Sequence, residues 1–176
     1  EAQGGLYDDR AAGNIAALQG LSGAPQLVSY GFEGDAPGAD CVMLNGALVT
    51  KFNRVVTKDA LTKAEPEYLV SATYQRGVVL HGLDAETADG DTTATSVNNL
   101  ASSSGGAVAD LHVPDLTLDG HTALDVQVLG SADNITFAPI GTFASVTVAG
   151  TAERISIAGS IAQYLAVGWD FTGTPS

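Results

Sequence analysis

From Ala107 onward the chain is a string of short apolar runs cut by turns: AVADLHV, ALDVQVL, NITFAPI, ASVTVA, ERISIA and YLAVGWDF. Most of them alternate residue by residue. Leu124, Val126 and Val128 interleave with Asp125 and Gln127, and Ile155 and Ile157 with Arg154 and Ser156. Leu165, Val167, Trp169 and Phe171 oppose Tyr164, Ala166, Gly168 and Asp170. A period of two gathers the apolar set on one face of a strand and would scatter it around a helix. Turns recur at close to the roughly 8–12 residues that sandwiches and barrels use. One buried and one wet face per strand is the antiparallel pattern. The prediction is an antiparallel β-sandwich over 106–176.

The rest of the chain fits an all-β class with one short helix. Charged residues make up only 15% of the sequence and Gly accounts for 21 of its 176 residues, a turn-rich composition. YDDRAAGNIAALQG, residues 7–20, predicts the helix: Asp8 or Asp9 caps it, Ala11, Ile15 and Leu18 share a face, and Gly20 ends it. YGFEGDAPGAD follows as a loop. CVMLNGALVT, KFNRVVT, EYLVSATYQ and RGVVLHGL then read as strands, with Asn45-Gly46 either a hairpin turn or a bulge. Residues 84–105 are polar, acidic and rich in small side chains, which predicts a flexible linker between a first domain at 1–83 and the sandwich.

Charge limits the partners. Twenty acidic against seven basic residues leave a net −13, which disfavours phosphate binding. Lys51, Arg54, Lys58, Lys63 and Arg76 fall within one 26-residue stretch with three acids, so that stretch is +2 and the remainder −15. An acidic partner, a contact with another copy's acidic surface and an ordinary solvated face are the three readings of it. The single Cys41 excludes an internal disulfide, and no apolar run approaches the ~20 residues of a membrane span. The chain opens without Met and ends at FTGTPS with no closing strand after Phe171, as a fragment would.

No motif for catalysis emerges. His81, His112 and His121 share no metal-ligand spacing with one another or with Cys41, and there is no G-x-S-x-G elbow, P-loop or dinucleotide fingerprint. Asp84, Glu86, Asp89 and Asp91 are hard oxygen ligands of the kind Ca²⁺ accepts but lack the EF-hand spacing, so a solvated acidic segment is the better account. SADN at 131–134 sits between two strand runs and reads as a hairpin corner, although Asn134-Ile135-Thr136 has the form of a glycosylation sequon. No enzyme activity and no cofactor are expected.

Two sets of residues carry a family resemblance. GGAVADLHV, LDVQVLGSADNITFAPIGTF and ERISIAGSIAQYLAVGWDF resemble the C-terminal β-sandwich module of structural proteins from tailed bacteriophages. GGLYDDRAAGNIAALQG, YGFEGDAPGADCVMLNGALVTKFNRVV and EYLVSATYQRGVVLHG are similar to the later part of a phage major tail (tail tube) protein, whose earlier strands have no counterpart here. The resemblance implies a partial tube-like β-barrel followed by an Ig-like or jelly-roll-like sandwich. It implies a virion protein made in the host bacterial cytoplasm, assembling with itself into stacked rings, generally hexameric, and with other virion proteins. DNA would pass through the lumen as unbound cargo, no membrane would be involved, and the sandwich would face outward. In that setting the strands at 42–57 and 68–80 supply core and assembly contacts through Val42, Leu44, Val49, Lys51, Phe52, Arg54, Tyr68 and Val70. A capsid decoration or head-associated protein is the nearest alternative. A carbohydrate-binding host-adhesion module is another, with Tyr164 and Trp169 as its aromatics, although Trp169 lies in phase with core-facing Leu165 and Val167.

Overall fold

The protein is described here from a computed structural model covering residues 5–6, 26–31, 33–55, 63–70 and 74–173. Side chains are described for 26–31, 33–47, 69 and 74–173. The fold is all-β and built from antiparallel sheets. Among the described residues the one helical element is a 3-10 turn at Thr93–Thr95, and no helix is long and apolar enough to cross a membrane. The helix expected over 7–20 lies outside the described residues.

The first sheet holds β1 (Gly5–Leu6), β2 (Gln26–Gly31), β3 (Asp40–Val55), β4 (Lys63–Val70) and β5 (Gln75–Val78), in the order β1-β4-β3-β2 with β5 also on β3. The expected strands on either side of Thr50 are one strand of 16 residues. It runs straight through Asn45-Gly46, so no hairpin forms there; Gly46 takes φ +69°, the left-handed backbone a G1 bulge uses. β3 pairs antiparallel with β4 from Ala47↔Val70 to Val55↔Lys63, with a slip between Val49 and Lys51.

The division of the chain differs from the expected cut at 83. One compact unit comprises 1–28 and 43–75, the other 29–42 and 76–176. Residues 38–42 join the second unit because they pair with the chain at 76–79. Gly38 N–H donates to Val79 O at 2.8 Å, Val79 N–H to Ala39 O at 2.9 Å, and Arg76 Nη2 lies 3.3 Å from Asp40. Such long-range pairing leaves no mark in local composition.

In the second unit β8 (Ala107–Val113) pairs with β11 (Thr151–Ile157), and β9 (Ala123–Ser131) lies between β10 (Ala138–Thr142) and β12 (Tyr164–Thr172). The inner faces of these two sheets share one core. Val126, Val128, Phe143, Ile157 and Ile161 are buried at its centre, with Ala109, Leu111, Ile155, Leu165, Val167 and Trp169 packed around them. Val126, Val128, Ile155, Ile157, Leu165, Val167 and Trp169 are alternating residues read from the sequence, whereas Phe143, Ile161, Ala109 and Leu111 are not among those singled out there; burying each large one contributes about 1.5–3 kcal/mol.

The segment 84–105 is not a linker. It contributes β6 (Gly90–Asp91) and β7 (Val97–Asn98), both paired with β12. Thr92 N–H donates to Val167 O at 2.8 Å, and Val167 N–H to Thr92 Oγ1 at 2.9 Å. Trp169 Nε1 donates to Ala88 O at 2.8 Å, and Phe171 N–H to Asp89 at 2.7 Å. Its small polar residues suit an edge strap, bonded to β12 through its backbone and through the side chains of Thr92 and Asp89.

Candidate functional site

The densest chemistry lies on the outer face of β8 and β11, where the phase that avoids the core carries Asp110, His112 and Arg154. Asp110 and Arg154 are direct cross-strand partners. The guanidinium grips the carboxylate with two bonds, Nε to Oδ1 at 2.7 Å and Nη2 to Oδ2 at 2.8 Å, in the fork geometry that makes such pairs strong. The side chains are 3% (Asp110) and 16% (Arg154) exposed. Ser29, within β2, places Oγ 3.3 Å from Asp110 Oδ2 and 2.9 Å from His112 Nε2. Cys41, at the start of β3, is buried nearby.

A Ser, a His and an Asp in contact invite comparison with a hydrolase triad, and the connectivity answers it. In a triad the acid orients the imidazole and the imidazole takes the serine proton. Here Asp110 binds the serine and the arginine. One proton arrangement satisfies both of Ser29's contacts: His112 Nε2–H donates to Oγ, and the hydroxyl donates to Asp110. The serine then passes its proton toward the acid, and the imidazole has no free Nε2 lone pair with which to activate it. Burial lowers the His112 pKa, with Arg154 adding to this and Asp110 opposing it. Burial, then Asp110 and Asp40, pushes the Cys41 thiol up. Near neutral pH the site therefore holds a neutral imidazole and an uncharged thiol beside a neutralised ion pair. Its chemistry is that of a polar clasp tying residues 29–42 to the β8–β11 face.

The turn at 131–136 is held from within. Asp133 Oδ1 accepts from Ser131 Oγ and from the N–H groups of Ile135 and Thr136, each at 2.9 Å, and Asn134 takes φ +59°. The bonds from Thr136, Ile135 and Ser131 lower the Asp133 pKa. This is a carboxylate used as a turn template.

The four acidic metal candidates are engaged separately. Glu86 meets His81 Nε2 at 3.1 Å, Asp89 accepts from Phe171 N–H, and Asp91 accepts from Thr93 N–H and its hydroxyl. Asp84 lies beside Gly82. Among the described residues no group of three or more His, Cys, Asp or Glu is arranged to hold a metal ion. Asp89 does approach Asp170, the cross-strand partner of Asp125, and raises its pKa; the Asp125 charge adds to this.

Of the expected assembly residues, Val42 and Leu44 are half-buried in β3. Val49 pairs with Tyr68, Lys51 with Glu67, Phe52 with Pro66, Arg54 with Ala64 and Val70 with Ala47; the side chains at 48–68 and 70 lie outside the described residues. Trp169 packs on the core, its ring against Gly90 and 4.9 Å from His81 in a T-shaped contact, so its stacking surface is used within the chain. Sequence reasoning missed Ser29 and the Asp110–Arg154 pair. One signal was present: Arg154 is the only basic residue after Arg76, on a strand whose partner run carries Asp110 on its polar phase. Compared with protein-family models, curated proteins and solved structures, the chain has no match.

Proposed function

We propose that this chain is a self-assembling structural subunit of a virion, the major subunit of a phage tail tube, whose rings surround DNA without binding it. The observation that carries this reading is the outer edge of β4. β1 covers only Lys63 and Ala64, so among the described residues Glu65–Val70 has no strand partner on that side. Such an edge, where nothing else pairs with it, is a template for continuing the sheet into another copy, and a head-to-tail contact of that kind closes into rings or extends into filaments. Pro66, which has no N–H to donate, is a residue that edge strands tolerate. The −13 charge supports the conduit role, because an acidic lining repels phosphate and lets DNA slide. The resemblance described above supplies the particular assembly. Negative-stain microscopy of the concentrated protein tests it: stacked rings or hollow tubes are expected, and a monodisperse monomer at every concentration overturns it.

A further inference from the structure

His81 stands between β5 and the strap, and both of its ring nitrogens face oxygen acceptors. Nδ1 lies 2.6 Å from Gly82 O, and Nε2 lies 3.1 Å from Glu86 Oε1. A neutral imidazole carries one N–H and satisfies one of the two; only the imidazolium donates to both. The same ring stands edge-on to Trp169, with centroids 4.9 Å apart. Trp169 is the residue on which the strap is seated: its indole N–H donates to Ala88 O, and Gly90 lies against its ring. The leading end of the strap, 84–91, thus meets His81 through Glu86 and Trp169 through Ala88 and Gly90.

The ionisable groups around the ring are acids. Asp84 and Glu86 come from the strap. Asp35 comes from the loop before β3, where its carboxylate accepts from Leu83 N–H at 3.2 Å and its backbone lies against Gly82. On the β12 side the ring meets Trp169, which does not titrate; beyond it Asp89 accepts from Phe171 N–H and approaches Asp170, and His121 lies against Phe171. The arginines of this unit are engaged elsewhere, Arg76 with Asp40 and Arg154 with Asp110.

We propose that His81 is a proton-operated latch on the strap. As an imidazolium it bonds Gly82 O and Glu86 at once and holds the leading end of the strap on Trp169. As a neutral ring it keeps its proton on Nδ1 for the shorter Gly82 contact and turns a lone pair toward the Glu86 carboxylate, so that end is let go. The latch guards the outer edge of β12, which the strap covers at Gly168 and Trp169 and which, left bare, is a template for pairing with another strand. It operates within one copy and does not depend on self-assembly.

The indole N–H of Trp169 reads the latch directly, since the chain has one tryptophan. Its hydrogen exchange is followed by NMR in dilute protein at about pH 8 and about pH 5.5, a range in which histidine changes charge and carboxylates stay ionised. The rates are corrected for intrinsic exchange and referenced to Phe143 N–H, bonded to Val126 O in the core. Wild type is expected to show about two- to fivefold greater protection at the lower pH, the range that a partly exposed ion pair supplies. His81→Phe keeps an aromatic edge on Trp169 without a titrating group and is expected to abolish the difference. Glu86→Gln is expected to abolish it the other way, raising protection at the higher pH to the wild type's low-pH level, because an amide accepts from the imidazolium and donates to the neutral ring. That variant leaves His81 and the core in place, so it decides the matter even where His81→Phe is unstable. Equal protection of wild type at both pH values overturns the latch. So does a difference that survives in His81→Phe, which would assign it to the carboxylates or to His121, and so does a Glu86→Gln chain that stays pH-dependent.

Discussion

Replacing Gly90 by alanine tests whether residues 84–98 are part of the second unit's fold. A Cβ at Gly90 would lie 2.6 Å from Trp169 Cζ2, 3.0 Å from Cε2 and 3.3 Å from Cη2, where carbon contacts settle at about 3.5–4.0 Å. Strand and ring must therefore part by about 1 Å, measured against that contact distance. Neither moves freely. Gly90 is the register partner of Trp169, and the indole N–H is bound to Ala88 O on the same strap. Overpacking of this kind costs about 1–3 kcal/mol, and losing the indole bond adds about 1 kcal/mol if the ring swings out. Trp169 is the only tryptophan, so its emission reports the site directly. Urea unfolding followed by fluorescence is expected to show a red-shifted native spectrum and a midpoint lowered by the equivalent of about 2–3 kcal/mol. Gly105→Ala is the control. Its Cβ would meet nothing within 4 Å and its φ is not left-handed, so it is expected to be neutral or to stabilise by about 0.4–1 kcal/mol. A Gly90→Ala protein with wild-type emission and midpoint would refute the packing of the strap on β12.

Two further outcomes concern the polar clasp. Asp110→Asn strands a mostly buried guanidinium and is expected to cost about 3–5 kcal/mol in urea melts, whereas Asp110→Leu combined with Arg154→Met is expected to return most of it; equal losses in both would show that the pair's charge is not what matters. Because burial depresses the folded-state pKa of His112, the unfolded chain takes up the proton first as pH falls. This contribution to stability is complete above about pH 6.5, the unfolded value, and is lost as pH drops toward the folded pKa. His112→Gln should flatten the stability profile as pH falls below about 6.5, the unfolded value, and an unchanged slope there would remove His112 as its source.

How much of this was legible in the sequence depended on where each residue's partner lay. The alternation of Leu124, Val126 and Val128, and of Ile155 and Ile157, named the core face correctly, because a period of two is a local property of a strand. Trp169 was placed with the core by the same phase. The strap at 84–105 was hidden for the opposite reason. Its strands β6 and β7 are two residues each, too short to alternate, and they are held by backbone bonds to β12 some 70 residues away. Composition there reports solvent exposure, which an edge strap and a linker share. The clasp needed Ser29 and Cys41 to fold back on Asp110, a contact spanning 81 residues in the case of Ser29.

Ionic strength separates the forces that an assembly of this chain must balance. Two copies at −13 repel over the Debye length, about 30 Å at 0.01 M salt and about 10 Å at 0.1 M. The apolar part of a contact between copies is not weakened by screening. An exposed ion pair across such a contact is worth at most about 1 kcal/mol. Raising salt from 0.01 to about 0.15 M removes most of the long-range repulsion and only part of the close attraction. Association is therefore expected to strengthen over that range, and sedimentation velocity at fixed protein concentration measures it. Assembly that weakens steadily from the lowest salt upward would mean that ion pairs, not apolar burial, dominate the contact.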